Sequence, residues 1–220
     1  MDERFRLEYS SHMCWDSCVF IRYLLDGDHA DDIERYIASC QKGDSKVWYS
    51  TIAFTEIRPR FLKHKNYGNI RDFFDDLRRN FLPIDPNPNI LIFAGLLRDC
   101  DSVNPDPKAI PPNNRVIGTP DSIHLETCLC IKDVMGVSDI IFHTTDAGRS
   151  KSWEDRCVPM SGFERWFPPD KRSRRVSKVC ELTRCWPVHP QASLFTGVRH
   201  LDPSGTQNPD VGQSPEGGTH

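Results

Sequence analysis

The 220-residue chain carries 28 Lys and Arg against 31 Asp and Glu, a net charge of −3, with 38% hydrophobic and 27% charged residues. These values predict one globular domain of ordinary size with an appendage, and the sequence holds no apolar run of about 18 residues that could cross a membrane. They exclude a global basic field that would draw the chain to nucleic acid, so any attraction for phosphate must come from a local patch or a metal.

Residues 1–11 mix both signs of charge around no apolar centre, which predicts a loose lead-in and no secretory signal. The nine cysteines, an odd number without an export signal, read as free thiols of a reducing cytoplasm. Cys14, Cys18, Cys128 and Cys130 lie in apolar runs and read as small core residues. His12–Trp15 reads as a strand and 18–25 as a helix. A second helix is expected over 28–39, where Ile33, Tyr36, Ile37 and Cys40 recur at helical spacing. Residues 47–49 form a candidate strand, and Ser50 is placed to cap a helix holding Ile52, Ala53, Glu56 and Ile57. An amphipathic helix follows over 69–81, then a turn at 85–88 and a helix over 90–97 capped by Asn89. The stretch 99–119, rich in Pro, Asp and Asn, reads as a long loop. Thr119 as cap and Pro120 at the first helical position open a helix that runs to about residue 134. Residues 139–143 are β-branched and aromatic, a strand.

Alternating strands and helices predict an α/β domain with a mostly parallel sheet. It is expected to span 12–168. Beyond it, 169–201 reads as a basic extension, with five cations among residues 171–178. The tail 202–220 has too few aliphatic side chains to offset the cost of ordering and is expected to be disordered.

Four carboxylates fall where such a sheet gathers its ligands. Asp16 directly follows the first strand, and Asp146 follows the last by two threonines. Ligands of open α/β sheets bind beyond the carboxyl ends of the strands. Asp121 sits in the first turn of a capped helix, beside its positive end. Glu56 is expected about two turns into its helix, in line with Ile52. Carboxylates that converge repel one another unless a cation joins them. Oxygen ligands suit Mg²⁺ or Mn²⁺, and such an ion generates hydroxide from bound water and polarises a phosphodiester. Taken singly, each acid reads better as structural: Asp16 and Asp146 as turn residues, Asp121 as a complement to the helix dipole, and Glu56 as a solvated helix residue.

Together the motifs go further. His12-Met13-Cys14-Trp15-Asp16-Ser17-Cys18-Val19-Phe20-Ile21 resembles the opening strand and turn of PIN domains. Thr119-Pro120-Asp121-Ser122-Ile123-His124-Leu125-Glu126-Thr127 resembles their second core motif, and His143-Thr144-Thr145-Asp146 their last. Glu56, within Thr51-Ile52-Ala53-Phe54-Thr55-Glu56-Ile57, matches the family's acid on the helix after the second strand. The four motifs stand in the family's order over roughly residues 12–168. The resemblance implies a three-layer α/β/α sandwich around a mostly parallel sheet. It implies a Mg²⁺- or Mn²⁺-dependent endoribonuclease, as in toxins of the VapC type, with Asp16, Glu56, Asp121 and Asp146 as catalytic and metal-binding acids. Thr144 and Ser17 would support them. It further implies an RNA substrate, an antitoxin-like protein inhibitor and a homodimer. The chain departs from the pattern in its long loop 99–119, its tail, and Glu126, which replaces a small residue and either adds charge or faces solvent.

Weaker signals remain. Cys180, Cys185 and His189, with His200 as a fourth ligand, would make a loosely spaced zinc site. The basic run 171–178 reads equally well as a grip on RNA phosphates or as a solvated linker. Trp153, Trp166 and Phe167 could stack on bases, but core or rim packing is favoured. The rival readings are a non-catalytic PIN module that scaffolds protein or RNA, and a phosphoacceptor or nucleotide-binding domain. The second lacks a phosphate-cradling Gly-rich loop.

Overall fold

The structure is a computed structural model, and it describes residues 10–105, 115–147 and 157–190. Five strands form one all-parallel sheet: β1 (His12–Trp15), β2 (Lys46–Ser50), β3 (Phe81–Ile84), β4 (Ile141–His143) and β5 (Arg184–Cys185), in spatial order β3-β2-β1-β4-β5. Strand side chains alternate between faces. Met13, Trp15, Val47 and Tyr49 therefore enter one apolar layer, closed by the helices α1 (Ser17–Leu24), α2 (Ala30–Lys42) and α4 (Ile70–Asn80). Cys14 and Phe142 enter the other, against α5 (Pro88–Arg98), α6 (Thr119–Asp133) and α7 (Arg174–Cys180). The result is the α/β/α sandwich expected from the sequence. Among the described residues no helix is long and apolar enough to cross a membrane.

Several local expectations change. The helix after β2, α3 (Ala53–Glu56), is a single turn whose cap position is Ile52, not Ser50, and Glu56 is its last residue. Asn87, not Asn89, caps α5 by accepting from the Ile90 backbone at 3.0 Å, because Pro88 takes the first helical position. Gly118 rather than Thr119 holds the cap position of α6. The helix expected over 69–81 stops at Asn80, and Phe81 opens a strand. β3, which was not expected, contains Pro83. It is an edge strand, where proline is tolerated.

The largest change lies beyond Pro168. The sheet continues there: β5 pairs with β4, and Val176, Val179 and Leu182 are buried among Phe142, Phe163 and Leu129. Cations of the basic run are used in docking this segment. Arg175 forks onto Glu126, with Nε at 2.7 Å from Oε1, and its guanidinium lies 4.2 Å from the centre of the Phe93 ring. Lys178 pairs with Asp133, and Arg172 Nε donates to the Phe167 carbonyl at 2.6 Å. Glu126 is fully buried, so it neither faces solvent nor adds a free charge. Trp166 and Phe167 are buried in the core, so they offer no face to a base.

All nine cysteines are free thiols. Cys14 and Cys128 are buried as expected, while Cys18 and Cys130 are half-buried. Among the described residues, Cys180, Cys185 and His189 do not form a metal-holding group. The lead-in through Tyr9, Trp153, His200 and the tail 202–220 lie outside the described residues.

Candidate metal centre

Asp16 leaves β1 at the cap position of α1, yet its side chain makes no capping hydrogen bond. The carboxylate is instead held from below and from the side. Thr144 Oγ1 donates to Asp16 Oδ2 at 2.9 Å and Cys18 Sγ donates to the same oxygen at 3.0 Å. Ser17 Oγ donates to Oδ1 at 3.3 Å. At 2% exposure the group is buried, and a buried carboxylate is costly without such donors. Burial and the Asp16 charge push the Cys18 thiol well above its ordinary pKa, so it stays protonated and keeps donating. The Thr145 backbone N–H in turn donates to Cys18 Sγ at 3.0 Å.

Thr144 joins two acids. While donating to Asp16 it accepts from the Asp146 backbone N–H at 3.1 Å. Asp146 Oδ2 accepts from the Met160 N–H at 3.0 Å, and its carbonyl accepts from Ser161 at 2.9 Å. This acid is thus fixed where the chain leaves β4. Both expected supporting residues, Thr144 and Ser17, contact Asp16.

The third element is α6. Asp121 and His124 are one turn apart, so they share a face. His124 is fully buried, and its Nε2 lies 3.2 Å from Glu56 Oε2 and 3.6 Å from Asp16 Oδ1. Donor atoms of Asp16, Glu56 and His124 all lie within 4.8 Å of one another, a group that could hold a metal ion. His124 Nδ1 is buried with no hydrogen-bond partner. Asp121 and Asp146 stand outside that tight group but within its field. The Asp121 carboxyl is pushed up to about 8 by burial first, then by the charges of Asp16 and Asp146, with His124 opposing and Glu56 adding. Burial pulls the His124 pKa down, but Glu56, Asp16 and Asp121 more than offset it, and the net shift is upward. Below the site, burial holds the β4 residue His143 at about 3, as a neutral core imidazole.

The structure therefore gathers the four acids named from the sequence at the carboxyl end of the parallel sheet, all of them buried or half-buried, with Asp16 and Glu56 against the His124 imidazole. His124 was assigned no role from the sequence, and Cys18 was read as a small core residue. The spacing of His124 three residues after Asp121 on one helix was the available signal. For Cys18 it was the position two residues after Asp16, where a thiol reads equally well as core.

The donor set fits a divalent cation. Two carboxylates facing one another across a buried imidazole are repulsive alone, and a cation reverses the sign of that interaction. With a proton on Nε2, His124 donates to Glu56. Without it, the Nε2 lone pair faces the space between Asp16 and Glu56 as a third ligand. Imidazole with carboxylate suits Mn²⁺ as well as the carboxylates alone suit Mg²⁺.

Comparison with protein-family models, with curated proteins and with solved structures gives no match for this chain.

Proposed function

We propose that this protein is a metal-dependent endoribonuclease of PIN-like type, hydrolysing RNA phosphodiesters with water activated at the Asp16–Glu56–His124 centre. The observation that carries the reading is the convergence of Asp16 and Glu56, acids from distant parts of the chain, on the buried His124, with Asp121 and Asp146 within the field of that group. Their order matches the motifs that resemble PIN domains. A bound Mn²⁺ or Mg²⁺ would supply an acidified water and polarise the phosphate. The chain's own residues do the rest. Thr144 and Cys18 fix the Asp16 carboxylate by donating to one of its oxygens, which leaves Oδ1 toward His124 and Glu56. Met160 fixes Asp146 in the same way. Without a cation, burial and the charges of Asp16 and Asp146 push the Asp121 carboxyl up to about 8, and a bound ion would restore its charge and draw it in as a further ligand.

The test pairs binding with turnover. Thermal melting with and without Mn²⁺, and cleavage of a generic single-stranded RNA, are measured for wild type, Asp16→Asn and Asp146→Asn. Mn²⁺ should raise the wild-type melting temperature, and both variants should lose cleavage nearly completely. A metal-induced rise without any cleavage would favour a non-catalytic PIN module. No effect of metal on melting would remove the proposal. The PIN resemblance is also the ground for proposing an antitoxin-like protein inhibitor and a homodimer, the latter read from the mass of the purified protein in solution.

A further inference from the structure

Glu56 ends α3, and the chain then enters a 3-10 segment, Pro59–Lys65. Between residues 58 and 65 the sequence is Arg-Pro-Arg-Phe-Leu-Lys-His-Lys. Ile57 and Leu62 are buried and seat this segment on the core. Arg58, Arg60, Lys63 and His64 are all exposed. None of the four makes an ion pair with a described residue, whereas Arg22, Arg35, Lys65, Arg175, Lys178 and Arg184 all do. Four acids of the neighbouring elements are already engaged. Lys65 takes up Asp26 and Glu34, Tyr67 donates to Asp76 at 3.0 Å, and Asn69 donates to Asp72 at 2.8 Å.

The direction of the segment matters. Arg58, which leads into it, is two residues from Glu56, whose carboxylate is in the metal-holding group. The segment ends at Lys65, which reaches Asp26 just past the far end of α1. A 3-10 helix rises about 2 Å per residue, so seven residues span about 14 Å. Unpaired cations thus run outward from the acidic pocket along a buried-side anchor, in a chain whose overall charge is negative. Such a run attracts a polyanion locally even though the net charge is negative. The basic run 171–178, the other dense cluster, has Arg175 and Lys178 committed to Glu126 and Asp133.

We infer that Arg58, Arg60, Lys63 and His64 form a track for the phosphodiester backbone of a single-stranded nucleic acid, leading it to the acids beside Glu56. The inference rests on the nuclease reading of that site and names how its substrate is held. The track has no role in chemistry, so it acts on affinity in the absence of metal. Each phosphate contact on a single strand releases counterions and contributes about 0.7 to the slope of log affinity against log salt.

The experiment is fluorescence anisotropy on the full chain, in chelator, with a labelled single-stranded oligoribonucleotide of mixed sequence and the DNA of the same sequence. The track variant is Arg58→Gln/Arg60→Gln/Lys63→Gln, and Lys63→Gln alone serves if the triple change impairs folding. The control, Arg98→Gln/Arg165→Gln/Arg174→Gln, removes the same charge from exposed positions elsewhere. The track variant should lose about tenfold or more in affinity at fixed salt and flatten the slope by about 2, while the control stays near wild type. RNA and DNA bound alike would support a track that reads phosphate alone, and a preference for RNA would support it with an added 2′-hydroxyl contact. Equal losses in both variants, an unchanged track variant, or no binding by wild type would overturn it. Melting with Mn²⁺ is run on the same proteins. If Mn²⁺ raises melting while the track variant binds as wild type, the track fails and the metal centre stands. If Mn²⁺ has no effect, the function itself fails, whatever the strand binding shows.

Discussion

Asp121 offers the sharpest test of the pocket, because its carboxyl is displaced from 3.8 to about 8. The sign is opposite to that of a salt-bridged acid. The folded protein keeps a proton that the unfolded chain gives up near its ordinary pKa. Stability from this group is therefore full at low pH and is lost progressively as pH rises from about 4 through 8. Between about pH 6 and about pH 8 the loss is about 2 kcal/mol. At about 2–4 °C per kcal/mol for a domain of this size, that is a fall of about 4–8 °C in melting temperature. Asp121→Asn keeps the shape and cannot ionise, so it should be free of this fall. The assay is thermal melting in chelator across that range for both proteins. His143, held at about 3, loses stability as pH falls below 6.5 in both proteins, so it cancels in their difference. His124 shifts upward and weakens the fold as pH rises, in the same direction as Asp121, so the difference reads Asp121 together with its coupling to His124. Mn²⁺ should raise the wild-type curve and flatten its slope, with a smaller response in the variant. Parallel profiles, or an Asn variant less stable than wild type at about pH 8 without metal, would refute a shared anionic pocket.

Three further outcomes are expected. Gly118→Ala keeps permitted backbone angles (φ −57°, ψ 148°), but its new methyl group collides with Asp121 Oδ2; stability should change by less than about 1 kcal/mol, while the Mn²⁺-induced rise in melting is lost. Arg175→Ala strands the buried Glu126 carboxylate and should cost about 3–5 kcal/mol in urea unfolding, with the double change Glu126→Ala/Arg175→Ala costing less than the single one. Because all nine cysteines are free thiols, dithiothreitol should leave the melting temperature unchanged, and a clear fall would mean that a disulfide forms.

The elements most legible in the sequence are those with strong local signals. β1, β4 and α6 carry β-branched or aromatic runs or a Thr-Pro start, and they also carry Asp16, Asp146 and Asp121. Periodicity found α2 and α4 to within a few residues. It missed β3, because four residues with a proline follow an amphipathic helix without a break, and β5, because two residues are too short for any periodic signal. Glu56 was legible as an acid in roughly the right place, but not as the end of a one-turn helix. Such a turn is stabilised by Ala53 and Ile57 packing on the core rather than by helix propensity. His124 was hidden because a histidine inside an apolar helix does not announce which ring nitrogen faces an acid 3.2 Å away in space but sixty-eight positions away in sequence.

The basic segment after Pro168 shows why charge density alone misassigns a surface. Five cations in eight residues read as a free patch, yet what decides their use is Glu126, forty-nine positions upstream of Arg175. A carboxylate at full burial on α6 is tolerated only with a partner that neutralises it and satisfies its oxygens, and the planar guanidinium does both at once. Glu126 is five residues from Asp121 and two from His124, so α6 presents its metal-site residues on one face and an ion pair on another. The same helix is thus gripped by α7 through Arg175 on one side while it aims Asp121 and His124 at Asp16 and Glu56 on the other. Loosening the grip should tilt the helix that carries half of the centre. Arg175→Ala is therefore expected to weaken the Mn²⁺ response as well as stability, although Arg175 touches none of the four acids of the centre. A variant that loses stability but keeps the full metal-induced shift would show that α6 is held in place by its apolar contacts alone.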